Sequence, residues 1–78
     1  MHTLYVGGLP AETDEGELRA LFGGYGGLSD VRIVTKDAGE CRGFGYVTFA
    51  DDDSASQAQA RLDGATHRDA RLRVAFAT

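Results

Sequence analysis

Apolar and polar residues alternate with a period of two in four places along the chain, and follow a helical spacing in two others. From Thr3 to Leu9, Leu4 and Val6 point one way and Tyr5 the other, which predicts a strand that Pro10 ends. Leu18, Leu21 and Phe22 then fall on one helical stripe. Asp14 is its expected cap, with Glu17 three residues on to complete a capping box, and the glycines around Tyr25 stop it. Val31 to Val34 predicts a second strand, with Val31 and Ile33 inward and Arg32 outward. Lys36-Asp37-Ala38-Gly39-Glu40 is a polar loop. Arg42 to Phe49 predicts a third strand, with Gly45, Val47 and Phe49 on one face and Phe44, Tyr46 and Thr48 on the other. Asp51 to Asp53 open a second helix whose buried side is Ala55, Ala58 and Leu62, and Asp63-Gly64 ends it. Arg71 to Phe76 predicts the last strand, with Leu72, Val74 and Phe76 inward and Arg71, Arg73 and Ala75 outward. Phe22, Tyr25, Phe49 and Phe76 are read as core.

The element order is therefore βαββαβ. It predicts an α+β, ferredoxin-like sandwich: a four-stranded antiparallel sheet with two helices on one face. Both crossovers share one hand, so both helices pack on the same side. Read as one domain over residues 1–78, the chain has nothing left to roof the other side. Tyr5, Phe44 and Tyr46 should lie there together, and exposed aromatic patches of that kind mark interaction sites. Gly43 and Gly45 are expected to leave room for something flat against the rings.

These residues carry a resemblance. Arg42-Gly43-Phe44-Gly45-Tyr46-Val47-Thr48-Phe49 resembles the eight-residue ribonucleoprotein motif of the RNA recognition motif family, Lys/Arg-Gly-Phe/Tyr-Gly/Ala-Phe-Val-x-Phe/Tyr, with Tyr46 in place of Phe. Leu4-Tyr5-Val6-Gly7-Gly8-Leu9 resembles the family's six-residue motif, at the expected order and separation. The resemblance covers essentially the whole chain. It implies that Tyr5, Phe44 and Tyr46 stack bases of single-stranded RNA, and that Arg42 contacts the phosphate backbone. The fifth position of the shorter motif is usually Asn and is Gly8 here, which removes a polar side chain at the end of the sheet.

Charge complicates this picture. The chain of 78 residues has 8 Lys and Arg against 12 Asp and Glu, a formal net charge of −4. A domain that binds phosphates is usually basic. Distribution resolves the conflict. Arg32, Arg42, Arg71 and Arg73 project by parity from the open face or its rim, and Lys36 is a further phosphate candidate in its loop. The acidic residues are expected around the helices, at Glu12, Asp14, Glu15 and Glu17, and at Asp51, Asp52, Asp53 and Asp63. An acidic protein can then carry a locally positive face.

Other chemistries find little support. The single Cys41 excludes an internal disulfide framework and fits a reducing cytoplasm. One thiol with His2 and His67 far apart in sequence makes no metal site, no cofactor is implied, and His67 reads as a surface histidine. No catalytic constellation is present, so the chain is not read as an enzyme. The Asp51-Asp52-Asp53 run lacks the spaced ligands of a calcium loop. The glycines around Tyr25 lack the Gly-Lys-Ser/Thr ending of a phosphate loop. No apolar run reaches the ~20 residues of a membrane helix, and no export leader is visible. The partner expected is single-stranded RNA, with single-stranded DNA sharing the same chemistry. The alternative is a protein-interaction module, binding a peptide or a second copy through the sheet or an acidic helix face. Some domains of this family bind peptides through an Arg-x-Phe element before the last strand, where this chain has Arg68-Asp69-Ala70. The compact form resembles small bacterial members of the family.

Overall fold

The computed structural model describes residues 2–36 and 39–77. Asp37 and Ala38, in the expected polar loop, lie outside the described residues. The elements follow the order β1 (His2–Gly7), α1 (Glu15–Phe22), β2 (Leu28–Thr35), β3 (Cys41–Phe49), α2 (Asp52–Leu62), β4 (Thr66–His67), β5 (Ala70–Arg71) and β6 (Arg73–Phe76), with one turn of 3-10 helix at Gly23–Tyr25. The main sheet runs β2-β3-β1-β6 and every neighbouring pair is antiparallel. With both helices on one face, this is the ferredoxin-like α+β sandwich that the pattern predicts. Among the described residues no helix is long and apolar enough to cross a membrane.

Alternation along the strands builds the core. Leu4, Val6, Val31, Val47, Phe49 and Val74 are buried from the sheet side, against Leu18 and Phe22 of α1 and Ala55 and Ala58 of α2. The small residues of α2 let the helix sit close to the strands. Phe22 and Phe49 meet with ring centroids 6.3 Å apart at the centre. Gly45 also faces this core. A Cβ there would lie 2.5 Å from the Arg32 carbonyl oxygen and 3.4 Å from Leu18 Cδ1, so glycine lets β2, β3 and α1 close together. It leaves no room for a ligand. Gly43 is tied to the β1 exit, its carbonyl accepting from Leu9 N–H at 2.9 Å.

Several expectations need correction. β1 ends at Gly7, two residues before Leu9, and β2 begins at Leu28, three before Val31. The expected last strand is two pieces. Leu72 turns away to donate its N–H to the Ala65 carbonyl at 2.8 Å, and its own carbonyl accepts from Gly64 N–H at 2.8 Å. Ala70 and Arg71 therefore pair with Thr66 and His67 in a separate hairpin. Its turn residues Arg68 and Asp69 both have positive φ, 52° and 64°, as a two-residue hairpin turn of type I′ requires. Phe76, expected inward, is 43% exposed, because it ends an edge strand with a neighbour on one side only. Tyr25 and Leu62 are half-buried against the core.

Both helices start as their sequence dictates. The Asp14 carboxylate accepts from Glu17 N–H at 2.9 Å, and that of Asp51 from Ser54 N–H at 2.9 Å. Glu17 does not complete the expected box. Its carboxylate instead accepts from Arg68 Nε at 3.0 Å and Nη2 at 2.8 Å, and lies 2.9 Å from His67 Nε2. His67 is therefore a half-buried partner of α1 rather than a plain surface histidine. A bidentate arginine offers Glu17 two charge-assisted bonds where the box offers one. At the other end, Asp63 Oδ1 accepts from Val74 N–H at 3.0 Å and Gln59 Nε2 donates to the Val74 carbonyl at 3.0 Å, so the end of α2 covers the open edge of β6.

Candidate nucleic-acid interface

The face opposite the helices is a grid set by strand register. Phe44, Gly7 and Arg73 form one row across β3, β1 and β6. Arg32, Tyr46, Tyr5 and Ala75 form the next, across all four strands. Asp30, Thr48 and Thr3 form a third. Rows two residues apart are ~6.8 Å from each other and neighbouring strands ~4.8 Å. The helices bury the other side, so none of the described elements roofs this one.

The three aromatics gather at the middle of the grid. Tyr5 and Phe44 are stacked, with centroids 5.9 Å apart and planes at 30°. Tyr46 meets Tyr5 at 6.1 Å and Phe44 at 6.3 Å, both edge-on. Each is half-buried and in contact with the other two. Gly7 explains why Tyr5 reaches Phe44. A Cβ on Gly7 would come 2.6 Å from Tyr5 Oη and 2.9 Å from two of its ring carbons. The phenol lies along β1 over a bare backbone, which brings it into the row of Phe44.

Cations flank the rings. Arg73 is exposed across β1 from Phe44, and Arg32 is exposed across from Tyr46. Arg42 is exposed at the β3 entrance, where its Nε donates to the Thr35 carbonyl at 3.2 Å, fixing the guanidinium at the rim. Lys36 follows β2 directly and is exposed; its backbone N–H donates to Glu40 at 2.7 Å. Arg71 departs from the expectation. It lies in the β4–β5 hairpin, outside the main sheet, with its carbonyl against Gly8 at the end of β1. That carbonyl would clash with any side chain at Gly8, so the usual Asn is excluded here by the hairpin's position.

The acidic residues expected around the helices lie there, but Asp30 lies on the aromatic face. The register slips between Leu28 and Asp30, making Ser29 an extra residue on β2. The bulge leaves Leu28 and Val31 both opposite core residues of β3, while Asp30 follows the alternation of Arg32 onto the aromatic face. Asp30, Arg32, Thr3, Tyr46 and Thr48 line an open groove of ≈ 210 Å³ on the β2 side of the rings. Asp30 is not among the expected site residues because the expected strand begins at Val31, three residues after the start of β2. Carrying the alternation of Arg32 two residues back is the signal that would have found it.

A family model described as RNA recognition motif matches residues 4–73. The chain belongs to the RNA recognition motif family. Among relatives of this RNA recognition motif domain, "Glycine-rich RNA-binding protein 5, mitochondrial" of Arabidopsis thaliana is 41% identical over 76 residues, 96% of this chain and 26% of that protein. "Deleted in azoospermia-like" of Danio rerio is 43% identical over 51 residues, 65% of this chain and 22% of that protein. The chain thus spans roughly a quarter of the length of these relatives. Among solved structures, "Sex-lethal RNA recognition domains 1 and 2 from Drosophila melanogaster" superposes with a TM-score of 0.94 at 32% identity, over 100% of this chain and 50% of that one. A "Sxl-lethal protein/RNA complex" superposes with a TM-score of 0.92 at 32% identity, over 97% of this chain and 46% of that one.

Proposed function

We infer that this domain is a single-stranded RNA-binding module that works without chemistry of its own. The observation that carries the reading is the mutual contact of Tyr5, Phe44 and Tyr46 on the face turned away from both helices. Unpaired bases have flat π-faces, and aromatic rings on an open sheet give them stacking surfaces. Tyr5 and Tyr46 each take a base, and Phe44 supports both from beside Gly7. Arg42 at the rim pairs with a phosphate, and Arg73 and Arg32 flank the strand on either side. Lys36 and Arg71 stand further out, as long-range attraction for the backbone. The relatives whose names declare RNA binding, and the solved RNA complex, support this reading.

The setting is part of the same proposal. A reducing compartment such as the cytoplasm suits the free, buried Cys41. The relatives named above are animal and plant proteins, so a bacterial setting rests on the resemblance alone.

Titration of the domain with short single-stranded RNA at several salt concentrations tests the binding mode. Three phosphates neutralised by Arg32, Arg42 and Arg73 give a log–log slope near −2, from ~0.7 per phosphate on single strands. Amide shifts on binding should concentrate at β1, β3 and the β2–β3 loop. A flat salt dependence with shifts confined to α1 and α2 would instead favour a protein partner on the acidic helix face.

A further inference from the structure

We propose that the groove beside Tyr46 is a guanine-selective subsite, with Asp30 as the residue that sets base identity. This rests on the RNA-binding reading and adds to it a preference that stacking alone does not supply. The groove brings together one ring face from Tyr46, one carboxylate from Asp30, one guanidinium from Arg32 and the hydroxyls of Thr3 and Thr48. The two hydroxyls lie 3.1 Å apart and bond to each other. Asp30 and Arg32 are both exposed, and neither is in an ion pair with any described residue. They stand ~6.8 Å apart along one face of β2.

An acidic residue on a phosphate-binding face weakens affinity for any polyanion, so it calls for a compensating contact with a base. An ionised carboxylate only accepts, through two oxygens, and a guanidinium only donates. Uracil presents one N–H between two carbonyl oxygens, which the carboxylate repels. Cytosine and adenine each offer one amino group. Guanine offers two adjacent donors, N1–H and the N2 amino group, matching the two carboxylate oxygens. Its O6 and N7 are acceptors that suit arginine. Guanine is the base that engages Asp30 and Arg32 together while its ring lies against Tyr46. Asp30 is two residues before Arg32 in unbroken register, so β2 alternation holds both on the ring side of the sheet.

The test uses short oligouridine RNAs carrying one guanosine, inosine, adenosine or cytidine, titrated against wild type, Asp30→Ala and Phe44→Ala. Wild type should prefer the guanosine RNA over plain oligouridine by about tenfold. Inosine, which lacks the N2 amino group, should lose part of that preference. Asp30→Ala should abolish it while binding oligouridine at least as tightly as wild type, whereas Phe44→Ala should weaken every RNA alike. The subsite is overturned if wild type treats all the RNAs equally, or if Asp30→Ala changes every affinity by one common factor; RNA binding itself would survive either result. Absence of binding to every RNA overturns the broader reading, and the subsite with it.

Discussion

Replacing Phe44 by alanine separates the aromatic platform from the fold beneath it. Phe44 is half-buried on the open face and touches Tyr5 and Tyr46, while the core on the other side of β3 is built from Val47 and Phe49. Its loss removes a stacked ring pair worth about 0.5–1.5 kcal/mol of folding stability. It also removes support for bases, at about 1–3 kcal/mol per stacked base, or roughly 5- to 150-fold in affinity. The rings are in contact, so the changes should couple. Phe44→Ala frees Tyr5 from its stacked neighbour, and a later Tyr5→Ala then costs less than it would alone. A double-mutant cycle read by fluorescence anisotropy with a labelled single-stranded RNA, at one fixed salt concentration, gives the coupling. Urea unfolding of the same four proteins reports the stability share. The reasoning fails if Phe44→Ala binds RNA as wild type does while remaining folded. Strict additivity of the two losses would refute the cooperative triad but leave single-ring stacking in place.

Three further outcomes are expected. Gly7→Ala should displace the Tyr5 ring, whose Oη would lie 2.6 Å from the new Cβ; circular dichroism should remain that of wild type while RNA affinity drops several-fold. Glu17→Ala should release the β4–β5 hairpin from α1 by removing the acceptor for Arg68 and His67. With both partners partly exposed the cost is about 1–2 kcal/mol, seen as a lower urea midpoint and faster amide exchange in residues 66–71 without a change in RNA affinity. Asp51 is held below the ordinary 3.8 of an aspartate, first by the Ser54 backbone N–H and then by the Ser54 hydroxyl. Its contribution to α2 is full above 3.8 and is lost as pH falls through the lowered folded value. Thermal melts between about pH 2 and 5 should show Asp51→Asn, which keeps an acceptor oxygen but does not titrate, to be less acid-sensitive than wild type.

Much of the fold and of the aromatic face is legible in the amino-acid sequence, and the reason is periodicity. One residue in two along β1 and β3 is glycine or an apolar side chain packed under the helices, so the residues between them must face the other way. That logic puts Tyr5, Phe44, Tyr46 and Arg32 on one surface, and the register agrees. The two helix caps are equally readable, because an aspartate caps through bonds to backbone only three residues away. Phe76 shows where the logic weakens. Alternation states which face a residue is on, but not whether an edge strand's end is covered.

What only the tertiary structure decided lies at contacts between segments distant in sequence. Glu17 turns from its own helix to Arg68, 51 residues away, because a bidentate cation outcompetes a local amide. The glycines at 7 and 45 read alike in sequence, yet one lies beneath a tyrosine on the binding face and the other against β2 and α1 in the core. A single extra residue in β2, Ser29, puts Leu28 opposite Phe49 on the core side although it is three residues from Val31. Sequence by itself determined an aromatic surface opposite two helices, since local alternation and crossover handedness suffice for that. Which polar groups border the surface depended on register, and register is a property of paired strands rather than of either strand alone.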